Sequence, residues 1–300
     1  MIEKVQNLLD DPSLHVVQGS PEWFESRRNL ITASNIGAIL GAKGCFMSAN
    51  EYCAQLCGWK KPLNEFAMEA MKYGNDLESE IREWHEHQIG EKIYEFGCKR
   101  HEQLPWLGGS PDGITESGIL CEYKAPFKKH VDENTLPTEQ YVCQVQVLME
   151  IFDLESCHFI WYLPPSRTGT SESIAYLHII KRDREWFKSI VPKLLDFWNM
   201  VLDYKSTGKW MELLSKKRSR TPEIDEALHE IDTSWMNLRS AHDVKDEFYG
   251  EFRPIIQAQL TKLFKRQPAF QAQPKTKICV LEGTGIEDPT ESALALISEE

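Results

Sequence analysis

The stretch GGSPDGITESGILCEYK, residues 108–124, constrains this chain more than any other. Two short runs of β-favouring residues are bounded by glycines and a serine, the composition of an antiparallel hairpin. If the strands pair about Ser117, Asp112 and Glu122 are register partners, because each lies five residues from that centre. Directly opposed residues hold their Cβ atoms about 4.5–5.5 Å apart. Side chains alternate with period two, so Glu122 and Lys124 share one face, while Cys121 and Tyr123 turn the other way, toward packing. One face of a small hairpin therefore gathers two acids and a cation.

Two carboxylates that close repel, and one would ordinarily take up a proton. A divalent cation removes the conflict. Mg²⁺ prefers hard oxygen ligands and usually keeps several waters. Beside a phosphate oxygen it stabilises the charge that builds up in phosphoryl transfer. A lysine on a rigid strand can orient the attacking water, help lower its pKa or contact the pentavalent phosphate. The competing reading is a surface salt bridge between Asp112 and Lys124, with Glu122 solvated. Other segments must decide between the two.

Around the hairpin the periodicities alternate between helix and strand. Pro21 and Glu22 look like a helix start, with Trp23, Phe24 and Arg27 in the first turns. ITASNIGAIL offers Thr32 or Ser34 as the cap of another short helix, and residues 50–58 form a third. A long helix is predicted over 65–89, with Phe66, Met68, Met71, Leu77, Ile81 and Trp84 mostly on one side and a bend or break at Gly74. Residues 90–124 read as strands separated by glycines. A helix over 138–153 carries the stripe Val142, Val145, Met149 and Phe152; two β-rich runs, SCHFIWYLP and SIAYLHIIK, and a helix over 183–204 follow. This order predicts an α/β or α+β domain with a central mixed sheet flanked by helices, ending near residue 210.

Residues 211–270 read as a helical extension. Ile224, Leu228, Ile231, Trp235 and Leu238 form a seam that packs on its own domain or makes a short coiled coil, and Pro254 starts a further helix to about 266. Residues 271–300 resemble a linker and an acidic tail; from Cys279 onward there are six acids and no Lys or Arg.

A formal net charge of −12 ordinarily counts against a nucleic-acid partner. Basic clusters at Lys128–His130, Lys216–Arg220 and Lys262–Arg266 nevertheless leave room for a local basic groove; Lys216–Arg220 either follows DNA or is a solvated helix end. The eight cysteines include no CxxC pair and sit mostly in apolar runs, which suits buried thiols in a reducing compartment better than zinc or an iron–sulfur cluster. His85, Glu86 and His87 are adjacent and not spaced as a zinc motif. No run approaches the roughly 18 apolar residues of a membrane helix, and the acidic N-terminus is no signal peptide. A soluble cytoplasmic protein without membrane partners is expected.

Five segments, in order, carry a resemblance. Asp112-x9-Glu122-x-Lys124 resembles the motif of the PD-(D/E)XK nuclease superfamily. WFESRRNLITAS, YGNDLESEIREW, GGSPDG and YVCQVQVLME resemble the N-terminal signature, acidic helix, aspartate loop and Gln-Val-Gln helix of lambda-type exonucleases, the YqaJ-like viral recombinase family. The resemblance spans about residues 18–204. It implies a restriction-endonuclease-like core over 1–210, with Asp112 and Glu122 as metal ligands, Glu78 completing the acidic cluster directly or through water, and Lys124 as the catalytic lysine. Gln144 would order the lysine, the water or the scissile phosphate. Arg27 and Ser34 would bind the 5′-phosphate of DNA; Arg28 is the neighbouring alternative to Arg27.

The resemblance further implies a Mg²⁺-dependent exonuclease, with Mn²⁺ as a substitute, acting on double-stranded DNA ends. It would digest one strand 5′→3′ to 5′-mononucleotides and leave a 3′ overhang for recombination. A ring-shaped homotrimer, a single-strand annealing protein as partner and a phage origin belong to the same implication. The rivals are a restriction- or repair-type endonuclease on the same fold and a non-catalytic DNA-binding scaffold. The acidic C-terminal third departs from the compact family pattern.

Overall fold

The computed structural model describes residues 1–215 and the strand Asn237–Ser240. The chain opens with helix α1 (Glu3–Leu9) and then α2 (Pro21–Ser26). Pro21 at the first helical position and Ser20, whose hydroxyl accepts from the Trp23 N–H, fix the start of α2. Strand β1 (Ile31–Thr32) runs through a 3-10 turn, Ala33–Asn35, into α3 (Ile36–Leu40). The sequence predicts a side-chain cap here from Thr32 or Ser34. Thr32 does occupy the N-cap of the 3-10 turn, but no side-chain cap bond forms; its hydroxyl faces the side chains of Ser34, Asn35 and Tyr52 instead.

Helix α4 (Ala49–Leu56) starts on a reciprocal Ser48–Glu51 capping box, and α5 (Glu65–Ile89) on Asn64, which accepts from the Ala67 N–H. Gly90 ends α5 at φ +72°, a left-handed conformation that glycine adopts without a Cβ clash. The expected break at Gly74 does not occur: α5 runs through it as one helix of 25 residues. A glycine costs about 1 kcal/mol against alanine inside a helix, less than the packing of Ile81 and Ile89 in the core returns at roughly 1.5–3 kcal/mol each. The expected apolar stripe holds only for Leu77, Ile81 and Trp84. Phe66, Met68 and Met71 are half-exposed at 50, 50 and 57%.

Five strands follow: β2 (Ile93–Tyr94), β3 (Lys99–Arg100), β4 (Leu107–Gly109), β5 (Gly113–Thr115) and β6 (Leu120–Lys124). Then come α6 (Glu139–Phe152), β7 (Ser156–Leu163), α7 (Pro165–Thr168), β8 (Ile174–Lys181), α8 (Arg184–Thr207), α9 (Met211–Ser215) and β9 (Asn237–Ser240). The central sheet has the order β2-β5-β6-β7-β8-β9 and is mixed; only β6 and β7 pair in parallel. A small sheet, β1-β4-β3, stands beside it.

The parallel pair forces a crossover, and α6 is that crossover. It lies on one face of the central sheet, where Leu120, Cys157, Phe159 and Trp161 join Val142, Val145, Met149 and Phe152 in the main core with α8. On the opposite face Cys121, Tyr123, Ile160, Tyr162 and Leu177 pack with Ile81 and Ile89 of α5. Alternate residues of β6 thus enter different cores, as period two requires. Gly109 lets α6 press against β4: a Cβ there would lie 2.6 Å from Leu148 Cδ2. Gly113 is equally confined, because a Cβ would collide with Ile93 of the paired strand.

Among the described residues no helix is long and apolar enough to cross a membrane. The predicted seam from Ile224 to Trp235, the helix from Pro254, the Lys216–Arg220 and Lys262–Arg266 clusters and the tail from residue 271 lie outside the described residues. Leu238, the last residue of that seam, lies in β9, antiparallel to β8, and not in a helix.

Candidate active site

Asp112 immediately precedes β5. The β5–β6 register pairs Gly113 with Cys121 and Ile114 with Leu120, and its continuation sets Asp112 opposite Glu122. The Asp112 Oδ2 accepts from the Tyr123 N–H at 2.7 Å and lies 3.9 Å from Lys124 Nζ. Glu122 is fully buried, so the surface salt-bridge reading with a solvated Glu122 does not hold. Its Oε1 accepts from Lys124 Nζ and, at 2.6 Å, from Gln144 Nε2. Its Oε2 has no hydrogen-bond partner among the described residues. Gln144 sits on α6 because the crossover carries that helix across the face where Glu122 points. The second glutamine of the motif, Gln146, binds main chain instead: it donates to the Lys181 carbonyl and accepts from the Asp183 N–H.

Glu78 reaches the cluster from α5. Arg82, one turn along, donates to Glu78 at 3.2 Å, to Glu95 at 2.6 Å and to the Asp112 carbonyl at 3.5 Å. Sequence reading misses Arg82. Its only local signal is the i,i+4 spacing from Glu78, which usually marks a solvated surface pair; here its side chain is 14% exposed.

The electrostatics report the convergence. Burial first and the Asp112 charge second push the Glu122 carboxyl up to about 8. The same two causes, in the same order, push Glu78 up to about 7. Burial pulls the Lys124 ammonium down, but Glu122 and Asp112 outweigh it and hold the group charged. Two buried acids, each raised in part by the Asp112 charge, with one buried oxygen unpartnered among the described residues, form a donor set in which acids outnumber the cations Lys124 and Arg82. A hard divalent cation fits that chemistry. Among the described residues no three His, Cys, Asp or Glu side chains form a ready-made cage. Asp112 and Glu122 would therefore supply the protein ligands, with oxygens of water and phosphate completing the shell, as Mg²⁺ favours. Glu78 is engaged by Arg82, which favours a contribution through water over direct ligation.

Arg27 and Ser34 are linked only indirectly: the Arg27 charge acts on the Tyr52 hydroxyl, which lies 3.3 Å from Thr32 Oγ1, itself beside Ser34. Arg27 is the C-cap of α2, and its guanidinium lies 4.1 Å from the Trp23 ring centroid. Burial lowers its pKa, and no carboxylate comes within ion-pair distance among the described residues. Arg28 is exposed and pairs with Glu25 at 3.2 Å. Of the two, Arg27 is the partly desolvated guanidinium without a carboxylate partner among the described residues, the chemistry that suits an anion. The Ser34 hydroxyl lies 3.3 Å from Thr32 Oγ1, in a polar cluster with Asn35 and Tyr52. Trp23 Nε1 donates to the Ser110 hydroxyl at 3.1 Å, which ties α2 to the loop bearing Asp112.

His85 is buried, within 3.0 Å of the Tyr123 hydroxyl and of His158 Nδ1. Burial pushes its pKa down to about 3, so the ring is neutral and belongs to the packing under β6. Among the described residues no cysteine forms a disulfide; Cys53, Cys121, Cys143 and Cys157 are buried and Cys45, Cys57 and Cys98 partly so.

Residues 22–155 match the YqaJ-like viral recombinase domain. The chain is similar to an alkaline exonuclease from Laribacter hongkongensis: the sequences are 23% identical, the likeness covers 66% of this chain and 100% of that one, and the TM-score is 0.50. With the same exonuclease in complex with dAMP the identity is 24%, over the same shares of the two chains, and the TM-score is 0.51. These likenesses show the fold. An uncharacterized protein of Acanthamoeba polyphaga mimivirus is 22% identical over 159 residues, 48% of this chain, which spans 28% of that relative's length.

Proposed function

We propose that this chain, which belongs through residues 22–155 to the YqaJ-like viral recombinase family, is a Mg²⁺-dependent exonuclease. It digests one strand of linear double-stranded DNA from the 5′ end. The observation that carries the reading is Glu122: a carboxylate fully buried on a strand, opposite Asp112, with Lys124 and Gln144 on one oxygen and, among the described residues, nothing on the other. A purely structural glutamate would satisfy both oxygens.

Bound between Asp112 and Glu122, Mg²⁺ or Mn²⁺ would neutralise the acids and stabilise negative charge on the scissile phosphate. The protein's own groups do the rest. Gln144 fixes one oxygen of Glu122 and so aims the other. Lys124 stays an ammonium, so it serves as a donor to the phosphate or the departing oxygen and not as the base. Water oxygen adds to phosphorus, the bond from phosphorus to the 3′ oxygen breaks, and that oxygen takes a proton. The terminal nucleotide leaves as a 5′-mononucleotide, and the shortened strand carries a fresh 5′-phosphate. Arg27 and Ser34 would engage that new group in each cycle.

Arg27→Ala should therefore reduce the rate advantage of 5′-phosphorylated over 5′-hydroxyl ends by roughly 10–150-fold, about the 1.5–3 kcal/mol of one charged hydrogen bond. Paired rate measurements on the two ends check it; an equal fall on both would remove the pocket. A ring of three copies around the duplex and a single-strand annealing protein that takes the 3′ overhang complete the proposal. A ring would tolerate the net charge of −12 by confining basic groups to its channel.

The deciding experiment is digestion of a linear duplex labelled separately at each 5′ and 3′ end, with Mg²⁺ or EDTA, beside a covalently closed circle. Metal-dependent release of the 5′ label as mononucleotide, with the circle untouched, is expected. A cut circle would point to an endonuclease. DNA binding without any cleavage would point to a scaffold.

A further inference from the structure

Just beyond Lys124 the chain leaves β6 and builds a second cluster that hydrolysis does not use. Phe127 meets Phe66 of α5 edge-on, with ring centroids 5.5 Å apart, and meets Tyr73 at 5.4 Å. Lys128 Nζ lies 5.0 Å from the Phe66 centroid and 5.2 Å from that of Phe127. Lys129 Nζ lies 5.0 Å from the Trp161 centroid. Arg167 donates to the carbonyls of Phe127 and, at 3.3 Å, of Lys129, which holds the loop backbone in place. Phe66 is 50% exposed, and Lys128, Lys129 and His130 are exposed. Among the described residues neither lysine has a carboxylate within ion-pair distance. Acids outnumber Lys and Arg by 46 to 34 in this chain, so a cluster of unneutralised cations is a local specialisation.

A lysine parked on an exposed aromatic face holds there by only about 0.5–1 kcal/mol. A nucleobase can displace it, while the ammonium moves to the adjoining phosphate. Aromatic faces beside cations are the chemistry that binds unpaired strands: every base has a stacking face, and the cations follow the backbone. A duplex cannot use such faces, because its bases already stack on one another. Three residues of chain reach at most about 11 Å, so the cluster lies within reach of a strand held at Lys124.

We propose that Phe66, Phe127 and Lys128 form a platform for single-stranded DNA, with bases on the rings and phosphates on Lys128, Lys129 and His130. The choice of DNA rests on the nuclease reading above.

The test is fluorescence anisotropy of the full chain in EDTA, with labelled oligothymidylate and a labelled blunt duplex. Phe127 is half-buried, so the half-exposed Phe66 is the better probe. Phe66→Ala should lower the ratio of single-strand to duplex affinity by about tenfold, within the range for loss of one stacked base, and Phe66→Trp should restore it. Lys128→Ala should reduce the salt slope on the single strand by about 0.7. An unchanged ratio in Phe66→Ala, or no restoration by Phe66→Trp, would overturn the platform. Tighter binding of an oligouridylate than of its deoxy counterpart would overturn the DNA assignment. The two readings fail separately: cleavage in Mg²⁺ without a Phe66 effect removes only the platform, and a Phe66 effect without cleavage removes only the nuclease.

Discussion

In Lys124→Ala, hydrolysis of linear duplex DNA is expected to fall by roughly 10²–10⁴-fold, the range for loss of one positioned charge or proton donor. Binding of the same DNA in EDTA should survive. The expectation follows from the placement of the ammonium on β6, where Glu122 and Asp112 keep it charged against the pull of burial. The substitution also leaves Glu122 Oε1 with Gln144 as its remaining hydrogen-bond donor, so affinity for the metal changes as well. Rates must therefore be compared at saturating Mg²⁺, with thermal unfolding as the control for folding. Wild-type turnover in the variant would remove the assigned role. Loss of DNA binding in step with turnover would show that Lys124 mainly holds substrate.

The hairpin was legible in the sequence because its register is local. Glycines and a serine fix the turn, and period two then dictates which side chains meet. The same logic made β7, β8 and most of α8 readable from their patterns. Glu78 and Gln144 are a different matter. Their helices can be read from periodicity, but the azimuth at which α5 and α6 meet the sheet depends on long-range packing, so only the resemblance pointed to them. Arg82 has only its i,i+4 spacing from Glu78 as a local signal, and its role as the bridge from Glu78 to Asp112 appears only in three dimensions. The apolar residues at the start of α5 misled for a related reason. Phe66, Met68 and Met71 share the helical spacing of a core stripe, yet they join neither core and stay half-exposed. Gly74 misled because propensity is a weak prior where a helix is anchored by Ile81 and Ile89 farther along.

The melting temperature in EDTA should fall as pH rises from about 4.5 to 8, and Mg²⁺ should reverse the fall increasingly across that window. Glu122 and Glu78 keep their protons in the folded chain to about pH 8 and 7, against an ordinary value of 4.5. Below 4.5 both states are protonated, and the folded chain bears no buried charge at these positions. Between 4.5 and the folded values the native state binds more protons than the unfolded one. Stability then declines with pH by at most about 1.4 kcal/mol per unit for each group, and above pH 8 the decline is complete. On the proposed reading Mg²⁺ would bind the ionised pair in the native state, so its stabilisation, RT ln(1 + [L]/Kd), should grow as the competing protons leave. In Glu122→Gln the amide cannot ionise. That variant should lose most of the alkaline slope in EDTA and most of the response to Mg²⁺. Scanning calorimetry from pH 5 to 9, with and without Mg²⁺, reads both effects. A Mg²⁺ response that is independent of pH, or that persists in Glu122→Gln, would place the ion away from the pair of carboxylates that the hairpin register brings face to face.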